Sequence, residues 1–211
     1  MTGRIACVGE VMLDVFVASG ERHGEIRVRA GGTPVNAALA IGAGAAVIGR
    51  VGNDAAAAAI RHELRELELR LAVDPDLPTG TYVELADGTV FANRGANAAL
   101  VLDDVLPLAA DAVLVSGYVD VPVLEQVDAR WRAFVCTPTT RTVPAAANVV
   151  FANDDEAARL DLRDREILVV THGAAGATVY CDGTPTHVDA TGDTTTGAGD
   201  RLAGRVLATL V

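Results

Sequence analysis

Short β-branched apolar runs alternate with Ala- and Leu-rich stretches along the chain. A strand that is apolar at nearly every position must be covered on both sides, so this alternation predicts a parallel sheet with helices on both faces. Residues 5–8 and 47–51 read as buried strands, with a helix over 36–41 between them. Residues 108–115 end in a strand, 148–152 form another, and 167–171 is the last strongly apolar run. A helix is predicted over 55–67, where an Ala run leads into Arg61, Glu63, Arg65 and Glu66 in an amphipathic, solvent-facing pattern.

Two segments depart from this rhythm. Residues 15–30 include Glu25-Ile26-Arg27-Val28-Arg29, which alternates as a half-exposed strand does, and 81–85 with 89–93 read as a hairpin around Asp87-Gly88. These are also the features of an ordinary edge hairpin.

Composition bounds the partners more than the fold. With 211 residues, 50% hydrophobic and 21% charged, the chain is long enough for one main α/β domain spanning 1–211. A net charge of −11 argues against nucleic acid or an anionic membrane as partner, because either needs a basic footprint. Any anionic ligand would need local shielding by a cation or by backbone dipoles. Cys7, Cys136 and Cys181 are too few and too scattered for a disulfide framework or a zinc site, which points to a reducing, cytoplasmic setting. No secretory hydrophobic region and no bilayer-spanning apolar run is evident.

The chemistry concentrates near the C-terminus, in Thr195-Thr196-Gly197-Ala198-Gly199-Asp200. Consecutive amides without bulky side chains can converge on one anion, and a helix starting there adds the positive end of its dipole. A carboxylate beside that nest can take a proton from a hydroxyl as a phosphate arrives. The same residues would also suit a strand-to-helix turn with a capping Asp. Near the other end, Gly31-Gly32-Thr33-Pro34-Val35-Asn36-Ala37-Ala38 leads into an Ala-rich stretch and Ile48-Gly49-Arg50-Val51-Gly52-Asn53-Asp54.

Together these segments resemble the two signatures of the ribokinase-like (PfkB-type) carbohydrate kinases. The resemblance continues through Gly9-Glu10-Val11-Met12-Leu13-Asp14, through Asn153-Asp154-Asp155-Glu156 as Asn-x-x-Glu, and through Thr171-His172-Gly173-Ala174-Ala175-Gly176 as Thr-x-Gly-x-x-Gly. It spans nearly the whole chain. It implies a three-layer α/β/α sandwich with a mainly parallel sheet, and a small β lid built from about 15–30 and 81–93.

The resemblance also implies roles. Asp200 would be the general base, with Gly197, Ala198 and Gly199 as the anion nest. Asp14, Gly32 and Asn36 would hold substrate hydroxyls, although Asp14 could equally end a strand and Asn36 cap its helix. Arg94 would reach the substrate pocket or pair on the surface. Thr171, Gly173, Gly176 and Thr196 would lie on the ATP side. Asn153 and Glu156 would organise Mg²⁺ through water or phosphate, and their spacing also makes a capping box. His172 and His187 read as structural or exposed.

Several departures from the family pattern stand out. The first signature is shortened by up to about one helical turn. Asp193 lies one place earlier than the usual acidic residue, Arg201-Leu202-Ala203-Gly204 follows the base, and 121–143 is brief, with an unusual Thr137-Pro138-Thr139-Thr140 run. Eleven residues, Arg201 to Val211, follow the base, where relatives continue through helices that help to cover the adenine. The expected activity is ATP-dependent phosphorylation of a hydroxyl on a small sugar. The alternatives are a nucleoside acceptor in the same fold, or a catalytically weak sugar-binding or regulatory protein with an incomplete donor site. A homodimer through the lid is a further expectation.

Overall fold

Ile5–Val8 is buried at every position and lies inside a nine-stranded sheet, with parallel neighbours on both sides. The computed structural model describes residues 4–20, 23–162, 164–190 and 196–211. Asp193, Thr194 and Thr195 of the C-terminal motif lie outside the described residues.

In chain order the elements begin with β1 (Ile5–Val8), β2 (Met12–Ala18), β3 (Glu25–Gly31), α1 (Thr33–Ile41), β4 (Ala45–Gly52), α2 (Ala55–Glu63), β5 (Glu68–Asp74), β6 (Gly80–Glu84) and β7 (Val90–Asn93). They continue with α3 (Leu102–Val105), β8 (Ala112–Ser116), β9 (Trp131–Val135), β10 (Val149–Asn153), α4 (Asp154–Arg159), β11 (Ile167–Thr171), β12 (Ala177–Cys181), β13 (Thr184–Val188) and α5 (Ala198–Leu210). The main sheet runs β13-β12-β11-β10-β9-β8-β1-β4-β5. Strands β5 to β11 along this order pair in parallel, and β12 and β13 add an antiparallel edge.

Alternate residues of the central strands feed two cores. Cys7, Val47, Leu114, Ala133 and Val149 pack with Val35 of α1, Ile60 of α2 and Leu207 of α5. Ala6, Val8, Val113, Val115 and Val150 pack on the other face with Val105, Val123, Leu124 and Leu162. The predicted three-layer α/β/α arrangement is therefore present, but the second face is covered largely by chain without helix. Residues 117–130 and 136–148 connect β8 to β9 and β9 to β10 with no helix.

One reading of the pattern needs correction, and several strands carry too little signal to be read. The helix expected over 55–67 ends at Glu63, and Glu68–Asp74 is an edge strand, half-buried over Leu69 to Ala72, in which charged residues interrupt the apolar ones. Strand β9 was hidden in the brief 121–143 segment. Residues 167–171 are the last strongly apolar strand, as expected, but β12 and β13 follow, and β13 is exposed at every position and so lacks an apolar signal.

Four strands form a separate sheet in the order β3-β2-β6-β7. The predicted hairpin appears as antiparallel β6 and β7, and β2 pairs with β6 in parallel. Both ends of the β2–β3 hairpin run directly into the main domain, from Val11 into Met12 and from Gly31 into α1. That connection sets the lid beside the C-terminal ends of β1 and β4.

Candidate active site

The motifs that are far apart in sequence meet in one cavity of about 580 Å³ between the lid and the C-terminal ends of the parallel strands. This is where open α/β sheets place their ligands. A larger open cleft of about 1280 Å³ lies between α4 and the β12–β13 turn, and none of the motif residues lines it.

The cavity is formed first by glycine. Gly32 caps α1 at φ +97°, and a Cβ there would sit 2.0 Å from the Glu10 carbonyl oxygen. A Cβ on Gly31 would fall 2.0 Å from the Asp14 carboxylate. Gly197 holds the left-handed conformation at φ +83°, and a Cβ there would strike the Asn36 amide at 2.4 Å. Only glycine lets the two signatures approach each other this closely.

Asp200 stands in the first turn of α5, two residues past Ala198, while Gly197 takes the cap position without a side-chain cap bond. The capping reading of Asp200 is therefore not the arrangement found. Asn36 Nδ2 donates to Asp200 Oδ2 at 3.2 Å, across 164 positions of sequence. This bond fixes one carboxylate oxygen. Burial pushes the Asp200 carboxyl upward, against hydrogen bonds from Asn36 and Thr33 and the charges of Arg201 and Arg29.

Asp14 is only 4% exposed, at the base of the lid. Burial raises its carboxyl to about 6, opposed by Arg29, whose guanidinium lies 3.5 Å away, and reinforced by the negative charges of Asp200, Glu10 and Glu63. Glu10, in the Gly9–Asp14 motif but without an expected role of its own, also lines the cavity. Its Oε1 accepts from the Thr33 amide at 2.9 Å, in the first turn of α1, and its Oε2 is sealed from solvent without a hydrogen bond. Burial pushes its carboxyl upward as well. The one sequence signal for it is a carboxylate two residues past the C-terminal end of a wholly buried strand.

Asn153 and Glu156 form the reciprocal cap of α4, with both bonds at 2.9 Å. Both residues still line the cavity, so the cap does not withdraw them from it. Among the described residues no group of three or more His, Cys, Asp or Glu could hold a metal by itself. The single carboxylate and amide here fit a hard ion that takes most of its oxygens from phosphate and water.

Thr171 and Thr196 line the cavity, as do Gly197 and Gly199, but Ala198 does not. Gly173 and Gly176 stand outside the lining. Both hold positive φ in the turn after β11, and a Cβ on Gly176 would meet the Val188 carbonyl at 2.2 Å. Arg94 reaches the cavity rim and donates from Nη2 to the Tyr118 carbonyl at 2.6 Å. His172 pairs with Asp154 at 2.7 Å and Thr178 at 2.8 Å, a structural setting as expected. The unusual threonine run is a knot of its own hydroxyls, with Thr137 Oγ1 3.0 Å from Thr140 Oγ1, and Arg159 of α4 donates to both backbone carbonyls.

The chain matches the family model described as pfkB family carbohydrate kinase over residues 2–211. No curated protein sequence matches it significantly. Among solved structures, a probable sugar kinase from Rhizobium etli superposes with a TM-score of 0.83 at 19% identity, covering 99% of this chain and 87% of that one. A fructokinase double mutant from Vibrio cholerae O395, in a form bound to fructose, ADP and potassium, gives 0.79 at 22% identity, covering 99% and 84%. Adenosine kinase from Schistosoma mansoni in complex with tubercidin gives 0.80 at 15% identity, covering 98% and 88%. At these identities the likeness is one of fold.

Proposed function

The chain belongs to the pfkB family of carbohydrate kinases, and from that premise we propose that it transfers the γ-phosphoryl group of ATP to a hydroxyl of a small sugar or sugar derivative. The observation that carries this reading is the convergence of Asp14, Asn36, Asp200 and the Gly197–Gly199 turn on one cavity.

Asp14 and Asn36 orient the acceptor by accepting from and donating to its hydroxyls. Asp200 takes the proton of the reacting hydroxyl through the oxygen not engaged by Asn36. The acceptor oxygen then forms a bond to the γ-phosphorus as the bond to the β,γ-bridging oxygen breaks, and ADP leaves. Amides at the start of α5 face the charge on the moving phosphoryl group, where fixed donors count most. Asn153 and Glu156 would hold Mg²⁺, which when bound supplies charge neutralisation at the phosphates. Lid strands over the cavity exclude water and so limit hydrolysis of ATP.

A nucleoside acceptor is the second reading. Tyr82 and Tyr118 line the same cavity with Val90 and Ala92, which supplies ring faces and apolar surface for a base.

ADP release with ATP and Mg²⁺ against ribose, fructose, 2-keto-3-deoxygluconate and adenosine tests the proposal. Stimulation by one acceptor, lost when Mg²⁺ is omitted, is expected. Silence across the panel with acceptor binding still measurable would favour a binding protein instead.

A pH effect follows from Asp14. Its carboxyl titrates at about 6, so it accepts hydrogen bonds as an anion only above that value. Calorimetric affinity for the acceptor should weaken by about tenfold from pH 7 to pH 5 as the ionised fraction falls. Affinity that is flat over this range would remove the Asp14 anion from acceptor binding.

A further inference from the structure

Thr196, directly before the glycine turn, is held by side chains from the lid. Its carbonyl accepts from Arg29 Nη2 at 3.1 Å and from Arg201 Nη1 at 3.1 Å. Its hydroxyl donates to Glu84 Oε2 at 2.8 Å, an oxygen that also accepts from the Tyr82 hydroxyl at 3.1 Å. Arg29 belongs to β3 and Glu84 to β6, so two lid strands reach the residue that leads into α5.

Arg29 is itself well placed. Its guanidinium lies 5.0 Å over the Phe16 ring of β2, and Nη2 is 3.5 Å from Asp14 Oδ2. One side chain therefore spans the carboxylate on the acceptor side and the backbone on the donor side.

The turn that follows needs such an anchor. Gly197 takes the cap position of α5 with no side-chain cap, and a Cβ on Gly199 would meet open space. A glycine-rich turn has many conformations of similar energy. The bonds at Thr196 select one of them here, together with the bond from Asn36 to Asp200 in the first turn of α5.

We infer that Arg29 and Glu84 are positioning residues that latch the lid to the phosphate nest through Thr196, so that lid closure and ordering of the donor loop are a single event. The inference rests on the kinase reading for its consequence but not for its existence. Because coupling between two sites is reciprocal, a nucleotide on the nest tightens the lid as much as the lid orders the nest. The latch also explains why two arginines flank the base in a chain of net charge −11.

Amide hydrogen exchange tests it, with Arg29→Met, which keeps a long apolar stem beside Phe16, and Glu84→Ala. In the ligand-free protein, residues 201–204 carry the first helical amides of α5, whose protection depends on a held N-terminus. Their exchange should quicken by about tenfold in each variant, with β1 and β4 unchanged. Arg29→Lys should restore part of the protection. With ADP and Mg²⁺ as probe, the unaltered protein should gain protection in both 201–204 and 25–31, whereas Arg29→Met should gain it only in 201–204.

Unchanged exchange at 201–204 in both variants would overturn the latch. Should Arg29→Met fail to fold, Glu84→Ala decides alone. Failure of the kinase reading would look different: the ligand-free exchange pattern would stand, with no acceptor-stimulated ADP release from the unaltered protein. In turnover, Arg29→Met should raise the share of ADP released without acceptor. A change confined to the acceptor KM would overturn the coupling, because it would reduce Arg29 to a neighbour of Asp14.

Discussion

Asp200→Asn should remove acceptor-stimulated ADP release, by about 10²–10⁴-fold, the usual range for losing a general base. The substitution is nearly isosteric, and the new amide oxygen can still accept from Asn36 Nδ2, which in the unaltered protein lies 3.2 Å from Oδ2. What it cannot do is take a proton. Acceptor binding should persist, because Asp14, Gly32 and the lid are untouched. Stability gives an independent check. Burial raises the Asp200 carboxyl above its unfolded value, so its stabilising contribution is full at low pH and is lost as pH rises through the folded value. At neutral pH the buried charge is therefore a cost, and the neutral variant should melt no lower than the unaltered protein. Near-normal turnover by the variant would remove Asp200 as the base.

Gly204→Ala should lower the melting temperature by several degrees and reduce turnover with it. A Cβ there would lie 2.3 Å from the Ala37 carbonyl oxygen, 2.9 Å from its carbon and 3.0 Å from its Cα. All three are backbone atoms, so no rotamer change relieves the clash and α1 and α5 must part. Alanine gains about 1 kcal/mol of helix propensity over glycine. Overpacking of a close contact costs about 1–3 kcal/mol, and contact at this distance with rigid backbone belongs at the upper end. The net loss at this chain length corresponds to roughly 2–4 °C per kcal/mol. Asn36 stands next to Ala37 on α1 and Asp200 one turn before Gly204 on α5, so separating the helices also stretches their bond. Thermal unfolding checks the first effect, and a melting temperature that is unchanged or raised would show that the helices have room to spare.

Both predictions depend on pairs that a linear reading handled unequally. Gly31, Gly32 and Gly197 were legible, because glycine at such points is demanded by the local backbone and by close approach. Asn153 and Glu156 were legible as a cap because the motif closes within one helical turn. The central strands were legible because burial on both faces forces continuous apolar runs. Strands β5 and β13 were not, since an edge or exposed strand is under no such demand.

Glu10, Arg29 and Glu84 gave almost no sequence signal. A single charged residue in a strand, like Arg29 and Glu84, or in the link between two strands, like Glu10, is ordinarily a solvated one, and nothing local marks it otherwise. Arg94 is legible as a cation near the lid, but its partner, the Tyr118 carbonyl on the cavity rim, is not.

The sequence by itself determined the α/β class, the order of the central strands' signals, the hairpin of the lid and the glycine positions at both signatures, since each follows from the periodicity or backbone freedom of neighbouring residues. Only the tertiary structure decided that Asn36 holds Asp200, that Glu10 takes the first amide of α1, and that Arg29 reaches Thr196 across 167 positions. Such bonds depend on where the sheet brings separate strand ends, and the energy of a side chain's pairing is fixed by the neighbours that folding supplies.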